Sequence, residues 1–452
     1  MEASNTLKKN EITMEQGSFW ELLVKLSLPA VVVILIMIIY NMADTFFIGQ
    51  TNDPNKISAI SICMPVFAVM SGLGTLFGIG GGTAISIALG EKNYDKIKHI
   101  STFSCFGALL VGMAFTVLTL LFTEPICIFL GANDETLESA ITYLRIFGYA
   151  GPFIMFSGAY GNILRSDGDA ALPMLANMSG TIVNILLDAL FIMVFKWDVF
   201  GAALATVIGN VITVIFVLVI LFKNKKIFIP DLKHMVLRKE IVIPVLTLGL
   251  PMTFSTVLNS VSSVIQNRLM MQHGSTCLAA QSVAGKFGML ITMLIMGVAM
   301  GIQPAISYNF GAKNYKRMYQ IVRQTLIFNV ILGTVMAVII FLVKDEAIAA
   351  FIKNGEVIAM GRVFVLASVA SGPIYAVSQV CQTFLQSTGK ANFAIITSLL
   401  DKGIIFIPVL FIMNYLFGAY GIAFSHCVTI LISVVFAIIF SKVWANNIEN
   451  ID

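Results

Sequence analysis

Charge is what this sequence has least of: Asp, Glu, Lys and Arg make up 12% of its 452 residues, about half the share in ordinary soluble domains. With 58% of the residues apolar, too few polar side chains remain to cover a soluble surface, and a water-soluble globular fold is excluded. Cysteine is scarce as well. The six (Cys63, Cys105, Cys127, Cys277, Cys381, Cys427) show no CxxC and no close pair, so they read as small buried hydrophobes rather than a disulfide framework or metal cluster. The four histidines (His99, His234, His273, His426) are dispersed and no HExxH occurs, which argues against a metal-dependent intramembrane enzyme. A P-loop is missing too, since Gly285-Lys286 is followed by Phe287 and Gly389-Lys390 by Ala391; ATP hydrolysis of that kind is excluded. No selectivity-filter motif is present, and nothing asks for a cofactor or a nucleic-acid partner. The polar N-terminal stretch lacks a short apolar core with a cleavage site, so no removable signal peptide is expected and the first span serves as its own insertion signal.

What is present is long apolar runs, among them Ala30–Tyr40, Phe106–Leu121, Val211–Phe222 and Thr429–Phe440. Such runs exclude a β-barrel, whose strands alternate over about 10 residues, and predict an all-α polytopic membrane protein. The apolar content allows up to about 13 spans of about 20 residues. The windows themselves predict twelve, over 20–49, 57–82, 98–122, 139–163, 171–195, 200–222, 240–271, 277–303, 320–343, 360–387, 392–416 and 419–442. Lys and Arg orient them. The N-terminal tail, the even-numbered loops with their span edges, and the C-terminal tail hold 18 of the 28, while the odd-numbered loops hold four: Lys56, Lys196, Lys344 and Lys353. The positive-inside rule then puts both termini in the cytoplasm of a bacterial cell.

The chain repeats itself. Gly90-Glu91-Lys92-Asn93-Tyr94 recurs 221 residues on as Gly311-Ala312-Lys313-Asn314-Tyr315, and the same offset carries Ala84-Ile85-Ser86 to Ala305-Ile306-Ser307, Gly151-Pro152 to Gly372-Pro373 and Gly168 to Gly389. Leu28-Pro29 matches Leu250-Pro251 at 222, and Gly201 matches Gly421 at 220. An internal repeat of this extent predicts two six-helix lobes, residues 1–222 and 240–452, joined by a basic cytoplasmic linker at 223–239. Six spans per half keep the topology the same, so the repeats are parallel and related by an axis along the membrane normal.

Ionisable side chains within spans are costly and therefore mark function. In the first half these are Asp44 and Asp188. At about 1.5 Å rise per residue, they lie roughly 36 Å and 26 Å along spans that enter from the cytoplasm, in the outer part of the lobe. Tyr40 stands four residues before Asp44 and Asn184 four before Asp188, on the same helix faces. Thr206 and Tyr143 fall near the external ends of spans 6 and 4. Such a group suits reversible proton binding, because burial and a neighbouring carboxylate both favour the protonated acid. Its carboxylate, amide and hydroxyl oxygens, from Asp44, Asn184, Asp188 and Thr206, equally suit Na⁺. The repeat positions of the two acids in the second half carry Gln266 or Ile265, and Val409, so the ion chemistry is assigned to the first lobe.

In the second half, Lys286 and Asp401 each fall about 14 Å into their spans, near mid-membrane, and are expected to pair. Arg145 and His426 read as structural. Pro29 predicts a kink in span 1, since proline removes a backbone hydrogen bond. Gly74, Gly78 and Gly82 form a stripe for close helix packing. Some of the 34 Phe and 23 Met can line a cavity that holds flat apolar cations by cation–π and sulfur contacts.

These features together resemble the multidrug and toxic compound extrusion (MATE) family, in its bacterial DinF/MepA-type branch. The resemblance spans residues 15–445. It rests on the duplicated twelve-span layout, on Leu28-Pro29 leading to Tyr40-Asn41-Met42-Ala43-Asp44 and Ile48-Gly49, and on Asn184-x-x-x-Asp188 followed by Gly201-Ala202-Ala203 and Thr206. It implies a V-shaped pair of lobes that exchanges H⁺ or Na⁺ for cationic amphipathic compounds by alternating access, as a monomer in the lipid bilayer. It also implies that Asp44, Asp188, Tyr40, Tyr143, Asn184 and Thr206 form the ion-responsive network and Pro29 the bend. One departure is Asn259, where another branch carries an acid on span 7. Asp401 and Lys402 match no family role. The alternatives are a flippase for lipids or lipid-linked saccharides in the same superfamily and, further off, a channel or a non-transporting scaffold.

Overall fold

A chain this apolar leaves its backbone to satisfy itself, because no water in the bilayer core would take an open N–H or C=O. The protein answers with helices. A computed structural model describes residues 2–49, 53–223, 228–351 and 355–449; the side chains of 2–8, 38, 41–46, 48, 49, 54, 57, 275, 347, 349–351, 355–357 and 449 lie outside that description. Among the described residues there is no strand.

The principal helices are α1 (Leu28–Gly49), α2 (Pro54–Gly90), α3 (Tyr94–Leu121), α4 (Leu137–Gly148), α5 (Gly151–Ile163), α6 (Ala171–Asp188), α7 (Asp198–Lys223) and α8 (Lys239–Gln272). They continue as α9 (Ser275–Gly311), α10 (Tyr315–Phe351), α11 (Gly355–Ala370), α12 (Gly372–Ser387), α13 (Ala391–Leu399) and α14 (Phe406–Glu449). Ten helical stretches among the described residues are long and apolar enough to cross a membrane, the last running from Ala391 to Ile448. That last stretch is two spans in one, because Gly418 at φ +57 interrupts it. A Cβ at Gly421 would stand 1.9 Å from the Met413 carbonyl oxygen, so the same bend admits only glycine there. Helices α4 and α5 are each too short to span alone, and Pro152 at the start of α5 separates them; in tandem they form the fourth span. The predicted twelve-span layout stands on this reading.

The duplication is visible as geometry. Helices α2 and α9 are both 37 residues long and start 221 residues apart. Each ends in a left-handed lysine, Lys92 at φ +56 and Lys313 at φ +57. Each is followed by an asparagine whose side chain accepts from the next helix's first turn, Asn93 from Lys96 N at 3.1 Å and Asn314 from Arg317 N at 3.2 Å. Gly168 and Gly389 share the left-handed region at φ +84 and +79. The break between α4 and α5 recurs between α11 and α12, again with a Gly-Pro start.

Two compact units emerge, Met1–Thr253 and Phe254–Asp452, with the boundary inside α8. In the first, α2 packs on α5 and α3, and α6 on α7. The linker is fastened to this unit: the buried Phe228 carbonyl accepts from Ser101 Oγ at 2.5 Å and Tyr160 OH at 3.3 Å. The second unit builds its core from Ile295, Phe364, Ala376, Leu410 and Ile430 on α9, α11, α12 and α14. On α10, Ile327, Ile331, Val335, Val338 and Leu342 form an exposed stripe at helical spacing, while Ile321, Thr325 and Asn329 are buried. A stripe that apolar suits contact with lipid. All six cysteines are free.

A candidate ion-binding site in the first unit

The site begins with two glycines that let helices touch. A Cβ at Gly180 on α6 would meet Thr213 Oγ1 at 1.9 Å and the Gly209 carbonyl at 2.5 Å; one at Gly209 on α7 would meet Asn184 Cβ at 2.8 Å. Only residues without side chains allow this approach. It brings Asn184 and Thr206 face to face, the Asn184 Nδ2 donating to Thr206 Oγ1 over 3.5 Å. The Thr206 hydroxyl spends its own proton on the Ala202 carbonyl one turn back, at 3.0 Å. Its oxygen is therefore an acceptor toward its other neighbours. Tyr40 OH, reaching in from α1, lies 3.4 Å from it and acts as the second donor.

The predicted residues Tyr40, Asn184 and Thr206 are thus joined in one cluster. Asp188 follows Asn184 by one turn and is completely buried at the end of α6. Immediately beyond it, Ala189–Val194 winds as a π-helix, a local widening frequent at functional sites. The Asn184 Oδ1 is buried and accepts no hydrogen bond among the described residues. The donor set is then a carboxylate, an amide oxygen, a hydroxyl and a phenol, which is chemistry for a proton or a small hard cation. Tyr143 is buried on α4, where its ring stacks with Phe147 at 5.8 Å, and α4 packs against α7. Asp44 belongs to α1, one turn past Tyr40, but its side chain lies outside the described residues. Among the described residues, no group of three or more His, Cys, Asp or Glu gathers as a metal-binding set.

Pro29 sits buried in α1 directly after a π-helical turn, Leu23–Ser27. A proline at 29 offers no N–H to the Lys25 carbonyl, and the wider turn absorbs that loss.

In the second unit the expected Lys286–Asp401 pair is not formed. The Asp401 carboxylate is held by its own neighbour, Lys402 Nζ at 3.0 Å, and by Ser433 Oγ at 3.3 Å, whereas Lys286 is exposed on α9. Consecutive residues of an α-helix do not face each other. Here Leu400–Ile404 is again a π-helix, and its wider turn narrows the angle between neighbouring side chains. Pro408, four residues past Ile404 and unable to donate to it, is the one mark of this distortion in the sequence here. Lys402 also lies 5.5 Å over the Tyr375 ring.

Known proteins share this architecture. The MatE family model matches residues 29–190 and 251–416. The chain is 32% identical over 411 residues to the multidrug export protein MepA of Staphylococcus saprophyticus and 31% identical to that of Staphylococcus aureus, in each case over 91% of both chains. A crystal structure of MATE in complex with MaL6 superposes with a TM-score of 0.92 at 20% identity, covering 97% of this chain and 99% of the other. An outward-facing conformation of a multidrug resistance MATE family transporter gives 0.88 at 22% identity, over 97% and 98%.

Proposed function

The chain belongs to the MatE family, and from that premise we propose that it is a secondary antiporter, and no enzyme, exporting cationic amphipathic compounds across a bacterial cell membrane in exchange for H⁺ or Na⁺. The multidrug export named for its staphylococcal relatives supports drug export, and the cationic amphipathic class is what the family resemblance implies. The observation that carries the coupling is the cluster in the first unit: a fully buried carboxylate, Asp188, one turn from an amide and a hydroxyl that Tyr40 reaches from a different helix.

The chemistry follows from burial. An ionised Asp188 in an apolar bundle is costly, and a bound proton or Na⁺ removes that cost. The Asn184 and Thr206 oxygens complete the shell of a bound cation, with Asp44 as the second carboxylate. Tyr40 couples the site to α1. Loading the site draws the Tyr40 hydroxyl toward the ion or returns it to Thr206, and the π-turn before Pro29 is where α1 yields. Two repeats of like topology then exchange access between the two faces, with both termini in the cytoplasm, as a monomer. An amphipathic organic cation competes for the same negative charge, so drug and coupling ion leave in opposite directions.

Cells expressing the protein are expected to expel an ethidium-like dye, and collapse of the ion gradients is expected to stop it. Dye retained equally with and without the protein, or efflux indifferent to both gradients, contradicts the proposal.

A further inference from the structure

The second unit contains a cavity of about 330 Å³ whose walls are amides, hydroxyls and one ion pair: Asn259, Ser262, Gln266 and Gln281 line it together with Asp401–Lys402 and His426. Aromatic and thioether walls are limited to Phe406 and Met289, unlike a site for flat apolar cations. The cavity includes the repeat counterparts of three residues of the first-unit constellation, although Ile405 and Val409, the counterparts of Asn184 and Asp188, are not among its lining. At the offset of 222 that relates Leu28-Pro29 to Leu250-Pro251, Tyr40 and Asp44 correspond to Ser262 and Gln266; at the offset of 220 that relates Gly201 to Gly421, Thr206 corresponds to His426. All three counterparts line the cavity. At these three positions duplication has changed the residue chemistry, from a phenol, a carboxyl and a hydroxyl (Tyr40, Asp44, Thr206) to a hydroxyl, an amide and an imidazole (Ser262, Gln266, His426).

We infer that this cavity binds a small hydrophilic zwitterion bearing one ammonium and one carboxylate, which opens the Asp401–Lys402 pair and replaces each partner with its own opposite charge. The argument is one of charge balance. A ligand with only a cationic group would take Asp401 and leave Lys402 unpaired inside the span; one with only an anionic group would strand Asp401. Either outcome abandons a buried charge, which is strongly unfavourable. A zwitterion leaves neither stranded. Lys402 shows what the ammonium of such a ligand would meet, the Asp401 carboxylate at 3.0 Å. Gln281 contributes an acceptor, since its buried Oε1 receives no hydrogen bond among the described residues. The pair is also built to open, because Ser262 already holds the Lys402 carbonyl at 2.6 Å and keeps the π-turn in place without the side-chain bridge. The volume sits at the small end of ligand sites, fitting a solute of amino-acid size. This inference concerns equilibrium binding in the second unit and stands apart from ion coupling in the first.

The test is binding to the purified full chain in detergent, with no gradient applied, followed by thermal protection and equilibrium dialysis. The probes are glycine, L-serine and L-glutamine, each beside its N-acetyl derivative, which loses the cation, and its amide, which loses the anion. At least one zwitterion is expected to bind, with each singly charged analogue at least about tenfold weaker. In the double variant Asp401→Asn/Lys402→Gln, which removes both charges without stranding one, zwitterion binding is expected to fall by at least about tenfold. The wild-type analogue series decides the matter if that variant does not fold. No binding of any of the three zwitterions at about 10 mM, equal binding of a singly charged analogue, or unchanged binding in a folded double variant overturns the inference.

Discussion

Thr206 is the residue on which the first-unit cluster turns, because its oxygen accepts from both Tyr40 and Asn184 while its proton is spent on the Ala202 carbonyl. Replacing it by valine keeps the shape and removes the acceptor that the Tyr40 hydroxyl and the buried Asn184 amide share. Thr206→Val is therefore expected to lower dye efflux at least about tenfold, the effect of about 1.4 kcal/mol, and Thr206→Ser to restore most of it; equal activity in both variants contradicts the assignment. In the second unit, Asp401→Asn leaves Lys402 buried without its carboxylate. Thermal unfolding is expected to report a loss of about 3–5 kcal/mol for that single change, most of it recovered in Asp401→Asn/Lys402→Gln. Tyr40 and Asn184 were legible because they stand four residues before the intramembrane acids Asp44 and Asp188, and residues four apart share a helix face. Lys402 was not legible as the partner of Asp401, because neighbours in a regular α-helix point apart and only the π-turn over Leu400–Ile404 brings them together.

Helices carry the site through two kinds of departure from regularity. Close crossing is the first. Gly180 and Gly209 leave no room for a Cβ between α6 and α7, so Gly209→Leu is expected to cost about 1–3 kcal/mol by overpacking and to part Asn184 from Thr206. A fall in both melting temperature and efflux checks this; a stable, fully active variant contradicts it. The π-turns are the second. They occur at Leu23–Ser27, Ala189–Val194 and Leu400–Ile404, next to Pro29, after Asp188 and around Asp401. Pro29→Ala returns an N–H to the Lys25 carbonyl and favours a regular helix. It is expected to slow dye efflux several-fold while dye binding by the purified protein persists. The first of these turns could be foreseen as a kink from Pro29. The turn after Asp188 has no proline within reach and leaves no mark in the sequence; its Phe191 packs closely on Gly201 of α7, where a Cβ would stand 2.9 Å from Phe191 Cβ.

At the scale of the whole molecule, the twelve spans and their duplication were written in hydropathy and in the Gly-Pro, Asn and Leu-Pro repeats, because a bilayer fixes span length and a repeat fixes topology. What hydropathy missed was the interruption at Pro152 within the fourth span, since it lies inside continuous apolar sequence; the break at Gly418 falls where the predicted spans 392–416 and 419–442 already part. Orientation rests on the distribution of Lys and Arg. Cysteines introduced at Lys9 and Lys233 are expected to react with a membrane-impermeant maleimide only after cells are opened, and labelling of intact cells would reverse the topology. The central claim is that a carboxylate in the first unit ties an ion gradient to export. Reconstituted protein loaded with an ethidium-like dye and given an H⁺ or a Na⁺ gradient separately tests it most directly. Wild-type protein is expected to move the dye under at least one of the two gradients and Asp188→Asn under neither; gradient-driven efflux by Asp188→Asn at the wild-type rate would contradict the claim.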